Sequence, residues 1–369
     1  MNQWKEPNTQ PCSFFSELIF EKVQKGLEKI RHKPTVSGMR IIYIGLLLLA
    51  GSALGQTNLE PRLRNLEQSL GFVEARLEKR VNDLLWIHEL EDVAHVQKVR
   101  FTGPPPVRKS DATPKTNQII VYAYTFLPRK EAKSKLPLIV LVHGDVHGDL
   151  KPQEDGRIVR ELINEGYAVI APEYRGSSGY GRDYWELIDY GGLENDDVLA
   201  ARNWMLDNNA TVDPKRVGIV GWSHGGMIAL MNVLLYTNAY QVAYAGVPVT
   251  DLVTRLGYKP PDYKELFSAP FHIGKAPDED IDEYRRRSPV THAHKLQTPL
   301  LIHAATNDDD VHLIEIERLL DALKAAGRKF EHKIYTNPPG GHEFNRIDTR
   351  LARESRAEAY EFLRGHLKP

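Results

Sequence analysis

The chain has 369 residues, enough for one large α/β domain with additions or for two smaller domains. Its 48 Lys and Arg balance 49 Asp and Glu, so no net field draws it to nucleic acid or an anionic membrane, and nucleic acid is excluded as a default partner. The single cysteine, Cys12, rules out an intrachain disulfide and a cysteine metal cluster, which leaves stability to the apolar core.

Residues 1–38 are mixed and polar. Met39-Arg40 is then followed by the apolar run Ile41 to Ala50 and by Gly-Ser-Ala-Leu-Gly55. A short basic start, an apolar run too short to cross a bilayer comfortably and a small-residue exit read as a secretory signal peptide over 39–55. Translation from Met39 is the economical reading, which puts 1–38 outside the true product or makes it a disordered tail. The competing reading is an uncleaved membrane anchor, the only case in which a membrane becomes a partner. Both readings carry the working domain out of the cytoplasm, to the periplasm or the extracellular space.

From Asn58, the positions Leu59, Leu63, Leu66, Leu70, Val73, Leu77 and Leu84 keep heptad spacing, which predicts a helix over 56–98 with Asn58 as its cap. Such a stripe has to pack, either along the main domain or against a second copy in a homodimer. Gly103-Pro-Pro-Pro106 and the polar stretch behind it mark 99–118 as a linker or hairpin. The domain proper, 119–369, alternates. Strand patterns at 119–126, 138–142, 167–172, 217–220, 242–247, 300–304 and 330–335 are interleaved with helix patterns at 156–164, 196–206, 313–325 and 350–367. Strands alternating with helices imply parallel βαβ units and a doubly wound, mostly parallel sheet. Between 251 and 290 the alternation lapses into aromatic, proline-rich sequence expected to wall a substrate pocket.

Chemistry centres on Gly221-Trp-Ser223-His-Gly225-Gly226, which joins a strand pattern to a helix start. A serine on so sharp a turn needs small residues two before and two after it, and both are glycine. Such a serine also needs a histidine base and an acid to orient that base, expected after later strands in the order Ser, Asp, His. The loop Ala305 to His312 supplies the acid among Asp308, Asp309 and Asp310, and Pro338-Pro-Gly-Gly-His342 supplies the base. Two oxyanion donors are expected: the backbone N–H of His224 and that of Asp145, in the glycine-bearing loop His143-Gly-Asp-Val-His-Gly148. Pocket candidates are Trp222, Tyr180, Tyr263, Phe267 and Phe271. The three consecutive aspartates lack the alternating oxygen ligands of a calcium loop, so no metal and no cofactor are expected.

From the His143-Gly144 loop through Glu173-Tyr-Arg-Gly-Ser-Ser-Gly-Tyr-Gly181, Asp196-Asp-Val-Leu-Ala-Ala201, Gly221 to Gly226, Ser288-Pro-Val, Asn307-Asp-Asp-Asp-Val311 and Gly341-His342, the chain resembles the catalytic domain of the prolyl oligopeptidase family of serine peptidases, in the order that family keeps. The resemblance implies an α/β-hydrolase fold with Ser223 as nucleophile, Asp308 as acid and His342 as base. It also implies cleavage of short peptides in the manner of aminoacyl, acylaminoacyl or dipeptidyl peptidases. Two departures stand out: no stretch reads as the β-propeller many relatives carry, and the common His-Gly-Gly-Pro loop reads His143-Gly-Asp-Val, with a carboxylate beside the oxyanion donor. A carboxylesterase on the same fold, or a non-catalytic scaffold assembling through the leucine helix, are the alternative functions. Dipeptidyl relatives recognise the substrate amine with acidic side chains outside the hydrolase core; the nearby candidates here are Glu89, Glu91 and Asp92, and the role is not assigned to them.

Overall fold

The computed structural model describes residues 59–104, 118–131 and 133–369. The expected signal segment and everything else before Leu59, and most of the 99–118 connection, lie outside the described residues. The chain divides into two units, Met1–Gly71 and Phe72–Pro369. In the first, the described residues are the opening turns of a helix.

In chain order the elements are α1 (Leu59–Leu90), β1 (Ala94–Thr102), β2 (Ile120–Pro128), β3 (Leu136–Val142), α2 (Pro152–Asn164), β4 (Ala168–Glu173), α3 (Glu194–Asn208), β5 (Val212–Trp222), α4 (His224–Leu235) and β6 (Val242–Gly246). They continue with α5 (Leu252–Tyr258), α6 (Pro261–Ser268), α7 (Ile281–Arg286), β7 (Leu300–Ala305), α8 (Leu313–Ala325), β8 (Glu331–Tyr335) and α9 (Arg350–Leu367), with one-turn helices at Arg182–Trp185 and Pro289–His292. Eight strands form one sheet in the order β1-β2-β4-β3-β5-β6-β7-β8. The pairs from β4 to β8 are parallel, while β1 and β2 add an antiparallel edge.

The inner strands are apolar because both faces are covered. Leu138 to Val142 of β3 and Ala168 to Glu173 of β4 are buried throughout. On one face, α3, α4 and α8 contribute Val198, Ala201, Met227, Ile316 and Leu319 to a core with Val140 and Ile219. On the other, α2 and α9 bring Ile158, Leu162, Leu363 and Leu367 against Ile139, Val220 and Trp86.

Three expectations need correcting. Helix α1 stops at Leu90, not 98, and Ala94–Thr102 is a strand paired with β2 from Ala94 opposite Pro128 to Thr102 opposite Ile120. The alternation in Ala-His-Val-Gln-Lys-Val-Arg-Phe suits an edge strand, whose Lys98 and Arg100 meet solvent. Second, the 251–290 segment is not irregular but carries α5, α6 and α7. Asp251 caps α5 by accepting the N–H groups of Val253 and Thr254 at 3.1 Å, and Pro261 sits at the first turn of α6.

Third, within the larger unit the stripe residues Val73, Leu77 and Leu84 are not the face that α1 packs along the domain. In the larger unit, Lys79, Asn82, Trp86 and Leu90 are buried, whereas Val73, Leu77, Val81, Leu84 and Ile87 are exposed, Leu84 to 70%. The Trp86 ring decides the orientation, lying 5.1 Å from that of Phe126 and 5.8 Å from that of Tyr124. An indole carries more apolar area than any single leucine of the stripe.

Candidate active site

Ser223 is the one residue between β5 and α4, at φ 55° and ψ −122°, a conformation strained for any side chain. The elbow closes because its neighbours lack side chains. A Cβ on Gly221 would lie 2.2 Å from the Gly225 carbonyl oxygen, and one on Gly225 would lie 2.3 Å from that of Val142. The Ser223 N–H donates to the Gly246 carbonyl at 2.9 Å, which ties the turn to β6. The positive end of α4 is thereby aimed at the serine.

Asp308 follows β7. Its Oδ1 accepts the N–H groups of Asp310 at 3.0 Å and Val311 at 2.8 Å, so the carboxylate is fixed before histidine meets it. After β8, Gly340 and Gly341 take φ 92° and 50°, and a Cβ on Gly341 would lie 2.9 Å from the Asn307 carbonyl oxygen. That close approach delivers His342. Its Nδ1 lies 2.8 Å from Asp308 Oδ2 and its Nε2 2.9 Å from Ser223 Oγ. With Nδ1–H donated to the carboxylate, Nε2 is left as an acceptor for the serine proton.

The three aspartates diverge. Asp309 is exposed. Asp310 turns into the cleft, accepting from Arg255 Nη2 at 2.9 Å and from Lys259, with its Oδ2 3.8 Å from His342 Nε2. Burial opposes ionisation of Asp310, but Arg255 and Lys259 outweigh it and hold the carboxyl well below its usual range.

The loop after β3 runs beside the serine: a Cβ on Gly144 would lie 3.5 Å from Ser223 Cβ. Asp145 has φ 61°, its carbonyl accepts from the Tyr174 hydroxyl at 2.8 Å, and its exposed carboxylate accepts the Val146 N–H at 2.7 Å. The charge that stood beside the oxyanion donor in the sequence is therefore occupied within its own loop and solvated.

Around these groups lies a cleft of about 970 Å³, with Tyr190, Val249, Tyr263, Leu266 and Phe267 as its apolar wall. Of the five pocket candidates, Tyr263 and Phe267 line it and three do not. Trp222, one residue before the serine, points into the core with its ring 5.3 Å from that of Tyr244. Tyr180 stacks on Tyr122 at 4.4 Å beside the antiparallel edge, and Phe271 packs against Trp185 at 5.3 Å. Asp92 is paired with Arg160 at 2.7 Å, and neither it nor Glu89 or Glu91 lines the cleft.

A buried group behind the serine is not legible in the sequence. The His224 ring, 2% exposed, stacks on Tyr190 with centroids 4.9 Å apart, and neither ring nitrogen has a hydrogen-bond partner among the described residues. Burial, reinforced by His143, drives it well below the usual histidine range, so it is neutral. Glu194 lies 3.7 Å from His224 Nε2 and accepts the N–H groups of Gly191 and, at 3.0 Å, Gly192. Burial pushes its carboxyl up to about 8. The signal available was Gly191-Gly192 just ahead of an acidic helix start.

The family model described as the prolyl oligopeptidase family matches residues 157–369, a span holding Ser223, Asp308 and His342. The chain is 30% identical over 221 residues to the uncharacterized peptidase YuxL of Bacillus subtilis (strain 168), covering 58% of this chain and 32% of the relative. It is 28% identical over 265 residues to dipeptidyl aminopeptidase BIII of Pseudoxanthomonas mexicana, covering 67% and 37%. The solved structure of a Mycobacterium tuberculosis puromycin-hydrolyzing peptidase superposes with a TM-score of 0.61 at 25% identity, covering 74% of this chain and 39% of that one. The chain thus spans about a third of the length of these curated relatives.

Proposed function

Since the chain belongs to the prolyl oligopeptidase family, we propose that it is an exported serine peptidase that cleaves short peptides at aminoacyl, acylaminoacyl or dipeptidyl bonds through an acyl-enzyme on Ser223. The observation that carries the chemistry is His342 bridging Ser223 Oγ at 2.9 Å and Asp308 Oδ2 at 2.8 Å. Ser223 Oγ attacks the scissile carbonyl as its proton passes to His342 Nε2, and the carbonyl π pair moves onto oxygen. The N–H groups of Asp145 and His224 are the donors assigned to that oxyanion. The intermediate then collapses: the C–N bond breaks, the amine leaves with the proton from His342, and the acyl group stays on Ser223. Water, deprotonated by the same nitrogen, repeats the sequence and releases the acid.

Export rests on the basic start, apolar run and small-residue exit from Met39 onward. Amino-terminal sequencing of the mature protein from an exporting host is expected to begin past Gly55.

Labelling with a fluorophosphonate tests the nucleophile. The parent protein is expected to label, and Ser223→Ala is not; labelling that survives the substitution would overturn the assignment. A panel of aminoacyl anilides and short acyl esters tests the bond cleaved. Anilide turnover supports the peptidase, and ester turnover without it makes the protein a carboxylesterase.

A further inference from the structure

Helix α1 sends one charged side chain into the interior of the main domain. Lys79 is 3% exposed, and its Nζ donates to Asp149 Oδ2 at 2.9 Å, to the Leu150 carbonyl at 3.1 Å and to Glu173 Oε1. Glu173 is completely buried, and the Asp149 side chain is 9% exposed. Burial opposes the ammonium, but Glu173 and Asp149 outweigh it and raise its pKa. The side chain reaches this site because residue 179 is glycine: a Cβ there would lie 2.7 Å from Lys79 Cβ.

What Lys79 grips is the loop beside the serine. Asp149 and Leu150 end the His143–Leu150 loop, and the Leu150 N–H donates to the same Glu173 oxygen at 3.2 Å. The segment after Glu173 supports that loop from the other side. The Ser178 N–H donates to the Gly148 carbonyl at 3.2 Å, Ser178 Oγ to that of His147 at 2.6 Å, and the Tyr174 hydroxyl to that of Asp145 at 2.8 Å. Within the loop the turn is tight enough that a Cβ on Gly148 would lie 2.4 Å from the Gly144 oxygen and 3.0 Å from Asp145 Cβ. A displacement at Asp149 is therefore felt at Gly144 and Asp145.

We propose that Lys79 is a positioning residue for acyl transfer: by clamping Asp149, Leu150 and Glu173 together, it holds the Asp145 N–H where the oxyanion forms. The proposal rests on the acyl-transfer reading given above. Without the ammonium, Glu173 and Asp149 face each other with no shared cation. The nearest remaining one for Asp149 is Lys151, 3.9 Å away and nearer solvent, with Glu78 and Glu154 competing for it. With Lys79 gone, Asp149 keeps only this contact among the described residues, and the end of the loop is held to Glu173 by the Leu150 N–H alone.

The test compares kcat/KM on matched oxo and thiono acyl esters for the parent, Lys79→Met, Lys79→Arg and the double variant Lys79→Met/Glu173→Gln. A thiono substrate places its developing charge on sulfur, a weaker hydrogen-bond acceptor, so the oxo-to-thiono ratio reads the oxyanion donors. Losing one donor outright costs about 10²- to 10³-fold. Displacing one is expected to lower oxo turnover in Lys79→Met about 10- to 100-fold and thiono turnover less, collapsing the ratio. Lys79→Arg is expected to recover most of it. The double variant, relieved of one buried carboxylate, is expected to regain melting temperature without regaining the ratio. Because both substrates meet the same folded fraction, the ratio stays legible in an unstable variant. A parent-like ratio in Lys79→Met, or loss of both activities in proportion, would overturn the proposal while Ser223 labelling stands. A parent that neither labels nor turns over would overturn the acyl-transfer reading itself.

Discussion

Asp308 and Asp310 sit two residues apart, yet their surroundings give them different work. Asp308 accepts two backbone N–H groups and the His342 ring, so Asp308→Asn keeps the shape but presents an amide where a carboxylate must hold the imidazole tautomer. The expected loss in kcat is about 10⁴-fold, read by steady-state kinetics on a folded protein. With Asp308 as the acid, the sequence predicts only mild effects for Asp309→Asn and Asp310→Asn. The structure revises that for Asp310, which neutralises the nearly buried Arg255 and Lys259 within the cleft. Breaking a buried pair costs about 3–5 kcal/mol and an exposed one under about 1. Asp310 is 39% exposed and Arg255 keeps Glu315 at 3.2 Å, so Asp310→Asn is expected to cost about 1–2 kcal/mol in urea unfolding. Asp309→Asn is expected to stay within about 0.5 kcal/mol. Glu194 makes a pH prediction. Its folded pKa is raised by burial to about 8, above the unfolded carboxyl value. Between those two values the native state holds a proton that the unfolded chain has lost, so stability falls as pH rises through that window and is greatest below it. Urea midpoints measured from pH 4.5 to 8.5 are expected to decline less steeply in Glu194→Gln than in the parent.

At the scale of elements, helix α1 separates two kinds of apolar residue that look alike in sequence. Trp86 is fully buried against Tyr124 and Phe126, whereas Leu84, a member of the heptad stripe, is 70% exposed. Removing a buried aromatic ring costs about 3–5 kcal/mol, while an exposed leucine gives up little packing. Trp86→Ala is therefore expected to lower the thermal midpoint by many degrees and Leu84→Ala to leave it within a degree or two. Equal effects would show that the stripe, not the indole, docks the helix. The elbow between β5 and α4 behaves oppositely: the constraint on Gly221 comes from Gly225 within the turn, and that on Gly225 from the end of the neighbouring strand β3. Gly221 and Gly225 are required by backbone oxygens within 2.2 and 2.3 Å of where a Cβ would go, and no rotamer relieves such a contact.

Across the whole molecule, the sheet is covered on both faces, and α1 belongs to one cover. Trp86, Leu90 and Ala94 share a core with Phe126, Ile158, Val159 and Leu162. A chain cut to begin at Val93 uncovers that surface and removes Lys79 together with it. It is expected to bind a hydrophobic dye at temperatures where the full chain does not. The alternation of strand and helix, the glycine-flanked serine and the chain order of Ser223, Asp308 and His342 were legible in the sequence, because period, turn chemistry and strand-to-helix order are local properties that neighbouring residues carry. Helix α8, expected at 313–325, and α9, expected at 350–367, coincide with their observed bounds for that reason. The docking face of α1, the burial of Lys79, the turn of Asp310 into the cleft and the exclusion of Trp222, Tyr180 and Phe271 from it were not legible. Each depends on what a residue meets from a distant part of the chain. A lysine on an amphipathic helix reads as a solvated charge until Glu173 and Asp149, 94 and 70 residues away, close around it, and only the packed fold brings those carboxylates to one point.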